Sequence, residues 1–313
     1  MSSSGYPYKL AVSPDQIVEE AARVYGLGLR MEGEPRFGYR SMVLWVADGE
    51  SSYVLKVVYA STALRKLDQS LSTLESLVRH GVPAPTTIRC EDGELCGLIL
   101  GCLTVLSTRV LGESHDTTNL AQVEAAGEIL GRLHTVPLRP GTIPTIDAGS
   151  FVQTLTAKRP EFAEGISRLS EVAWSNSSGS LVHGDYRAQN LLYTGDEVAA
   201  VLDWDDLAIG SPLLDLSYAL VFFQSVLRPG PQGTETMARF LKGYERHNPL
   251  AASEWGALAD YLHLALLKGL DIWQDILERQ PEGQIHDRVS GWVDRFLPLA
   301  DGVDSLVHEL CPD

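Results

Sequence analysis

No stretch of this 313-residue chain is long and uncharged enough to cross a bilayer. The best candidates, residues 95–106 and 216–227, are 12 residues long, whereas a membrane helix needs about 20. The first five residues, Met-Ser-Ser-Ser-Gly, hold neither a basic cluster nor an apolar segment, so no cleaved secretory signal is predicted. We therefore expect a cytoplasmic protein that has no membrane partner.

Cysteine is scarce and shows no metal-binding pattern. The chain has four cysteines and no Cys-x-x-Cys pair. They are Cys90, Cys96, Cys102 and Cys311. The first three lie in or near strand-like runs without histidine neighbours, which disfavours a zinc site. This usage predicts reduced thiols in a cytosolic protein rather than a disulfide framework.

Basic residues are also few, and this bears on possible partners. The chain has 25 Lys and Arg against 41 Asp and Glu, a formal charge of −16, and no basic stripe. Nucleic acid is therefore not expected as a partner. The excess of acidic residues lies almost entirely in the second part of the chain. Residues 1–112 carry 11 basic and 12 acidic side chains, whereas residues 113–313 carry 14 basic and 29 acidic side chains. The two parts are expected to bind different ligands.

What the chain does contain is an ordinary globular composition, with 44% hydrophobic and 21% charged residues. The first third is rich in strand and turn signals. Its patterns predict a helix from Ser13 to Gly26, a loop over 33–41, a hairpin of residues 42–47 and 53–59 around Asp48-Gly49, a helix over 62–80 and one or two strands over 95–110.

The rest of the chain is mostly helical in pattern. Helices are predicted near residues 120–133, 160–172, 213–228, 234–247, 253–279 and 285–297, with a β-type island at 181–203. We predict an α+β fold with a small β-rich N-terminal lobe (residues 1–106), a hinge (107–112) and a large, mostly helical C-terminal lobe (113–313).

The β-type island holds the clearest chemical signal. Residues 183–190 read His-Gly-Asp-Tyr-Arg-Ala-Gln-Asn, and residues 203–205 read Asp-Trp-Asp. Asp185, Asn190 and Asp203 lie at the ends of short apolar strands, across one loop and one hairpin. Carboxylate and amide oxygens are hard ligands, which suit Mg²⁺ better than zinc.

This pattern resembles the aminoglycoside phosphotransferase family, within the wider protein-kinase-like fold. His-Gly-Asp-x-x-x-x-Asn stands where protein kinases have His-Arg-Asp-x-x-x-x-Asn, and Asp203-Trp204-Asp205 stands at the kinase Asp-Phe-Gly position. Gly-x-Pro-x-x-Asp over residues 210–215 is a further mark of the family. The resemblance implies a bilobal fold and an enzyme that moves the γ-phosphoryl group of ATP or GTP to a hydroxyl of a small molecule.

Roles follow from the resemblance residue by residue. Asp185 is expected to accept the proton of the acceptor hydroxyl, and Asn190 and Asp203 are expected to hold Mg²⁺. His183 is expected to be a scaffold that hydrogen-bonds backbone. Asp215 is expected either to cap the following helix or to hydrogen-bond the catalytic loop. An aminoglycoside-like antibiotic is the first expectation for the acceptor; choline, homoserine, a macrolide or a nucleoside fit the same chemistry.

The nucleotide contacts are expected in the N-terminal lobe. Lys56 shares a strand face with Val54 and Val58, and the family places such a lysine against the α- and β-phosphates. Its usual glutamate partner would fall near Ser70, where this chain has none, and neither Asp68 nor Glu75 has the right helical spacing. By position, Ser41 ends a degenerate phosphate-covering loop, although an ordinary β-turn explains residues 36–41 equally well. Backbone groups of the connector that holds Thr108 and Val110 would contact the purine.

Acidic residues suggest where the acceptor binds. Asp205 adjoins Asp203, and Asp271, Asp275 and Glu278 recur on one helix face, with Asp260 and Trp273 near them in sequence. Together with the acidic balance of residues 113–313, they favour a cationic acceptor. A solvated acidic face is the simpler explanation of the spacing of Asp271, Asp275 and Glu278.

Two other functions compete with this prediction. A non-catalytic nucleotide-binding regulator would typically have lost residues such as Lys56, Asp185, Asn190 or Asp203, and all four are present. A protein kinase would need a long activation segment. Only residues 204–211 separate Asp203 from Pro212, and no Ala-Pro-Glu follows.

Overall fold

The computed structural model of the chain describes most of it in two compact units. The described residues are 12–38, 41–58, 64–116, 118–138, 143–170, 172, 174, 179–223, 231–279, 282, 286–287, 289–291 and 293. The first unit is Met1–Arg79 with Pro83–Leu111, and the second is His80–Val82 with Gly112–Asp313. No helix among the described residues has the length and apolar character of a membrane span.

The first unit is built on a seven-stranded antiparallel sheet. Its strands are β1 (Arg30–Met31), β2 (Arg36–Phe37), β3 (Ser41–Asp48), β4 (Ser51–Val58), β5 (Thr87–Ile88), β6 (Gly97–Ile99) and β7 (Cys102–Thr108). The order is β1-β3-β4-β7-β5, with β2 paired to β3 and β6 to β7. The predicted hairpin is therefore β3–β4, and the run over 95–110 is two strands.

Helix α1 (Pro14–Tyr25) covers one face of this sheet. It begins at Ser13 in a capping box with Gln16 and ends at Gly26, whose φ of 63° suits glycine. Its buried side chains share a core with alternate residues of the sheet, among them Leu55 and Val57. Because strand side chains alternate, Lys56 points to the opposite face. The second helix of this unit is α2 (Leu64–Arg79).

The second unit has two small sheets beside its helices. The strands are β8 (Glu113–Ser114), β9 (Ser180–Val182), β10 (Leu191–Thr194), β11 (Glu197–Val201) and β12 (Ala208–Gly210). Strands β11, β10 and β8 form one sheet, and β12 and β9 form the other. The loop between β9 and β10 and the residues after β11 carry the His-Gly-Asp and Asp-Trp-Asp motifs.

Six helices of the second unit have defined bounds, and residues 286–287, 289–291 and 293 are also helical. The six are α3 (Leu120–His134), α4 (Ala148–Lys158), α5 (Ala163–Ser170), α6 (Pro212–Phe222), α7 (Pro231–Tyr244) and α8 (Ala252–Arg279). Helices α3 and α7 approach closely, since a Cβ at Gly127 would overlap the backbone carbonyl of Phe240. Helix α6 packs against α8, which brings two distant parts of the sequence beside the β9–β10 loop.

The predicted α+β class is confirmed: the N-terminal part of the chain is rich in strands, and the C-terminal part is mainly helical. The sequence patterns missed helix α4 and the short strands β1, β5, β8 and β12. Two- and three-residue strands are too short to show a periodicity, so they are found only through their partners. The expected loop over 33–41 contains the short strand β2, and its residues 39–40 lie outside the described residues, as do residues 62–63, 224–228 and 294–297 and Cys311.

Candidate active site

Asp185 lies in the loop between β9 and β10, and polar side chains hold its carboxylate from two sides. The Asn190 Nδ2 donates to Oδ2 of Asp185 at 2.9 Å and to the Asp185 backbone carbonyl at 2.9 Å. The Arg187 guanidinium lies 3.1 Å from the same Oδ2. The Tyr218 hydroxyl donates to the other oxygen, Oδ1, at 2.9 Å. The carboxylate is thus fixed in one orientation before any substrate binds.

Asp215, in the first turn of α6, holds the turn that precedes Asp185 through hydrogen bonds to its backbone. Asp215 is 1% exposed and accepts hydrogen bonds from the backbone N–H groups of His183 and of Gly184. Burial alone would raise the pKa of Asp215, but its hydrogen bond with His134 and the other donors outweigh burial and lower that pKa below its ordinary value. Ser211, not Asp215, caps α6, so Asp215 takes the second of its two expected roles.

His183 serves as a scaffold, as the sequence predicted. Its side chain is buried, with Nε2 3.0 Å from the carbonyl oxygen of Leu202. Its Nδ1 accepts from the backbone N–H of Asp185 at 3.2 Å. Both ring nitrogens are therefore engaged with backbone, which leaves His183 no lone pair for an acceptor hydroxyl.

Asn190 and Asp203 are brought together by the β10–β11 hairpin. The backbone N–H of Leu202 donates to the carbonyl of Asn190 at 2.8 Å. Asp203 is the next residue after Leu202, so it lies close to Asn190. Asp203 is exposed and has a φ of 63°, in the left-handed region that non-glycine residues seldom adopt. Such backbone strain is concentrated at functional sites.

Gly184 must be glycine for the two motifs to meet. Its φ is +83°, and a Cβ there would lie 2.5 Å from the backbone oxygen and 2.8 Å from the Cβ of Asp206. The His-Gly-Asp loop therefore packs directly on the turn that follows Asp203. This explains why glycine separates His183 from Asp185 in the motif.

The oxygen donors of Asn190 and Asp203 fit a hard cation. Among the described residues, no cluster of three or more His, Cys, Asp or Glu side chains could hold a metal alone. The amide of Asn190 donates through Nδ2 to Asp185, so its Oδ1 is the oxygen that could bind a cation, and Asp203 supplies a carboxylate. Mg²⁺ is commonly held by one or two protein oxygens together with substrate phosphates, so the residues present suit it.

The predicted nucleotide residues all lie in the first unit. Ser41 and Lys56 are on neighbouring strands, since Ser41 pairs with Val58 and Val43 pairs with Lys56. Thr108 ends β7, where its N–H donates to the carbonyl of Thr86 and its hydroxyl accepts from the N–H of Thr86. Val110 follows beyond the end of that strand. Their contact with nucleotide stays a prediction.

The structure narrows the choice of acidic partner for Lys56. Ser70, at the usual place of the glutamate, is fully buried in α2. The Glu75 carboxylate lies 3.7 Å from Arg89, so it forms an ion pair at the surface with a different cation. The side chain of Asp68 lies outside the described residues.

The acidic face of α8 binds cations from this chain. Lys158 Nζ lies 2.9 Å from carboxylate oxygens of both Asp271 and Asp275. The buried Arg159 donates to Asp271 at 2.7 Å and also pairs with Asp275 and Glu278. Burial alone would lower the pKa of Arg159, but the hydrogen bonds to Asp271 and Glu278 raise it above its ordinary value.

This ion-pair cluster accounts for the i, i+4, i+7 spacing without an acceptor. It joins the end of α4 to α8, and no sequence signal indicated that contact, because α4 was not predicted. Asp205 lies in a short 3-10 turn, Trp204–Asp206, directly after Asp203. Contact of Asp205, Asp271 or Asp275 with an acceptor stays a prediction.

Arg187, Tyr218 and Lys268 contact the Asp185 loop, although no sequence motif assigns them a role. Arg187 lies inside the motif that was recognised. Tyr218 lies three residues after Asp215, and this i, i+3 spacing places both on the side of α6 that faces the loop. Lys268 of α8 donates from Nζ to the carbonyl of Gly184 at 2.7 Å, a contact that links residues 84 positions apart.

Comparison with known proteins identifies the family. A model of the phosphotransferase enzyme family known as APH matches residues 34–261, which include both motifs. The chain belongs to this family. It is a small-molecule phosphotransferase that acts on hydroxyl groups.

Several relatives of this phosphotransferase share most of its length. A homoserine kinase of Methylobacillus glycogenes is 25% identical over 318 residues, which cover 93% of this chain and 94% of the relative. An amicoumacin kinase structure with AMP-PNP, Ca²⁺ and its ligand has a TM-score of 0.70 at 18% identity, covering 96% and 98% of the two chains. A spectinomycin phosphotransferase structure with ADP and spectinomycin has a TM-score of 0.68 at 14% identity, covering 94% and 99%. These structures confirm the kinase-like fold.

Proposed function

We propose that this phosphotransferase moves the γ-phosphoryl group of ATP or GTP to a hydroxyl of a small acceptor, with Asp185 as the base. The observation that carries the proposal is the Asp185 carboxylate, held by Tyr218, Asn190 and Arg187. A carboxylate fixed in this way can accept a hydroxyl proton without first reorganising. The loop that bears it packs against the turn after Asp203, where a cation site is supported by the donor set.

The proposed reaction requires little covalent participation from the protein. The acceptor hydroxyl donates its hydrogen bond to Asp185, and as its oxygen bonds to the γ-phosphorus, its proton passes to that carboxylate. The bond from the γ-phosphorus to the β–γ bridging oxygen breaks, and the nucleoside diphosphate leaves with that oxygen. Mg²⁺, held by Asn190 and Asp203, would neutralise phosphate charge when bound. Arg187 places a positive charge 3.1 Å from Oδ2 of the Asp185 carboxylate.

For the acceptor, we favour a small hydroxylated amine or amino acid of the homoserine type. The similarity to a homoserine kinase extends over nearly the whole chain, whereas the antibiotic kinases share the fold at lower identity. An aminoglycoside-like or other antibiotic acceptor is the second candidate. The carboxylates of Asp271, Asp275 and Glu278 are already paired with Lys158 and Arg159, which removes one reason to prefer a polycationic acceptor.

A turnover screen tests the proposal. The full chain is incubated with Mg²⁺ and ATP or GTP, and with homoserine, choline, aminoglycosides, a macrolide or a nucleoside, while nucleoside diphosphate and phosphorylated product are measured. We expect acceptor-dependent turnover with at least one hydroxylated amine and its loss in Asp185→Asn. Turnover that is equal in the wild type and Asp185→Asn would refute the assignment of the base. Product from an aminoglycoside, a nucleoside or a macrolide alone would refute the preferred acceptor class.

We also propose that the protein works in the cytoplasm. Cys90 and Cys102 are buried thiols, and burial raises the pKa of both above their ordinary values. Thiols of this kind persist in a reducing compartment, where ATP is also available. Fractionation of the cells that make the protein would test this location.

A further inference from the structure

The hydrogen bonds at Asp185 distinguish its two carboxylate oxygens. Each oxygen offers two lone-pair directions. Oδ2 receives donors from both Asn190 and Arg187. Oδ1 receives Tyr218, and no other donor contacts it among the residues that the structure describes. In this arrangement Oδ1 is the oxygen with a direction left for an acceptor hydroxyl.

The Tyr218 hydroxyl can only donate to Oδ1. Tyr218 is 2% exposed. Burial, reinforced by the charge of Asp185, raises the pKa of Tyr218 well above its ordinary value, so the hydroxyl keeps its proton at neutral pH. Since Asp185 is an acceptor when ionised, the hydrogen bond runs from Tyr218 to Asp185. Tyr218 therefore orients the oxygen that has room for the acceptor.

Lys268 links Tyr218 to the backbone before Asp185. Its Nζ donates to the Gly184 carbonyl at 2.7 Å and lies 4.3 Å from the centroid of the Tyr218 ring. One cation thus contacts both the turn that carries Asp185 and the ring that orients it. Such a contact over an aromatic face is favourable when partly desolvated.

We propose that Tyr218 and Lys268 are positioning residues for phosphoryl transfer: Tyr218 holds the Asp185 carboxylate so that Oδ1 receives the acceptor hydroxyl, and Lys268 holds Tyr218 and the Gly184 turn in register. This inference rests on the proposed role of Asp185. Neither residue is proposed to touch the acceptor or the nucleotide; each acts through Asp185 or the turn that carries it. Their loss should lower kcat, because a misplaced base costs rate even when substrates bind normally.

The test compares Tyr218→Phe with a matched control. Tyr193→Phe also removes a buried hydroxyl in the same unit, one that has no hydrogen-bond partner among the described residues. We expect Tyr218→Phe to lower kcat about 10-fold or more, with the KM for Mg·ATP within twofold of wild type. Tyr193→Phe should leave both unchanged. Lys268→Met should also lower kcat, and Lys268→Arg, which keeps the positive charge, should have a kcat between those of Lys268→Met and the wild type.

A double-mutant cycle separates positioning from general damage to the fold. In an Asp185→Ala background there is no carboxylate to orient, so adding Tyr218→Phe should not slow the residual single-turnover rate further. An independent structural defect would multiply the two losses and overturn the proposal. So would a Tyr218→Phe enzyme with wild-type kcat, or one whose loss lies wholly in the KM for Mg·ATP. If Asp185→Ala itself retains wild-type turnover, the proposed function fails, and this inference fails with it.

Discussion

The carboxylate of Asp215 accepts a 2.8 Å hydrogen bond from the backbone N–H of Gly184, one residue before the proposed base. The neighbouring N–H of His183 donates to the same carboxylate. Since Gly184 has a φ of +83° and packs against Asp206, the turn has little freedom. One buried side chain therefore sets the backbone path that presents Asp185.

Removing the Asp215 carboxylate should destabilise the second unit. Asp215→Ala leaves two buried N–H groups without their acceptor, and each such loss costs about 1–3 kcal/mol. We expect the free energy of unfolding in urea to fall by about 3 kcal/mol. Ser211→Ala is the control, since it removes only the cap of α6 and should cost about 1 kcal/mol. Equal losses in the two variants would contradict the anchoring role.

The same carboxylate predicts a loss of stability in acid. The pKa of Asp215 is lower in the folded chain than its ordinary value of 3.8, so its stabilising effect is present above that value. It is lost as pH falls from 3.8 through the lower folded pKa. We therefore expect the stability gap between wild type and Asp215→Asn to shrink below about pH 4. The gap is measured by urea unfolding at pH 7 and at successively lower pH; a constant gap would rule out this explanation.

The proposed base can be tested without knowing the best acceptor. Asp185→Asn keeps the size of the side chain but removes its charge, so it should lower kcat by at least about 10²-fold. Nucleotide binding, measured by calorimetry in the presence of Mg²⁺, should change little, because Asp185 is not among the proposed metal ligands. A wild-type kcat, or an effect confined to the affinity for nucleotide, would assign Asp185 a different role.

The proposed cation site should appear as a metal dependence of nucleotide affinity. Asp203→Ala removes the only carboxylate of the proposed donor pair, and Asn190→Ala removes its amide. Both should abolish the increase in ATP affinity that Mg²⁺ produces in the wild-type protein, as measured by titration calorimetry with and without EDTA. Glu75→Ala is a suitable control, since Glu75 pairs with Arg89 at the surface. Retention of the full Mg²⁺ effect in Asp203→Ala would count against the site.

The acidic face of α8 should matter for stability more than for acceptor binding. Arg159→Met leaves Asp271, Asp275 and Glu278 close together without their shared guanidinium. We expect a loss of about 2 kcal/mol in the free energy of unfolding. The KM of a cationic acceptor should be unchanged in Asp271→Asn, because the Asp271 carboxylate is already paired with Lys158 and Arg159. A large increase in the acceptor KM of Asp271→Asn would instead support the predicted acceptor pocket on this helix face.

Local signals in the sequence were enough for several elements. Ser13, Gln16 and Gly26 delimit α1 because caps act within one helical turn. The Asp48-Gly49 turn and the apolar runs beside it indicate the β3–β4 hairpin for the same reason. The spacing of Asp185, Asn190 and Asp203 also belongs to one short segment, so the motif predicted the proposed base and metal ligands together.

Only the tertiary structure decided how those residues are supported. Lys268 reaches Gly184 across 84 positions, and Arg159 reaches Asp271 across 112. Such contacts depend on helix packing, which periodicity and spacing do not encode. The sequence by itself therefore determined which residues of the β9–β10 loop and the β10–β11 hairpin carry the proposed chemistry, namely Asp185, Asn190 and Asp203. The packing of α6 against α8 places Tyr218 beside the Asp185 carboxylate and Lys268 beside the Gly184 carbonyl. Residues so far apart in the chain become neighbours only when their helices bury apolar faces against each other.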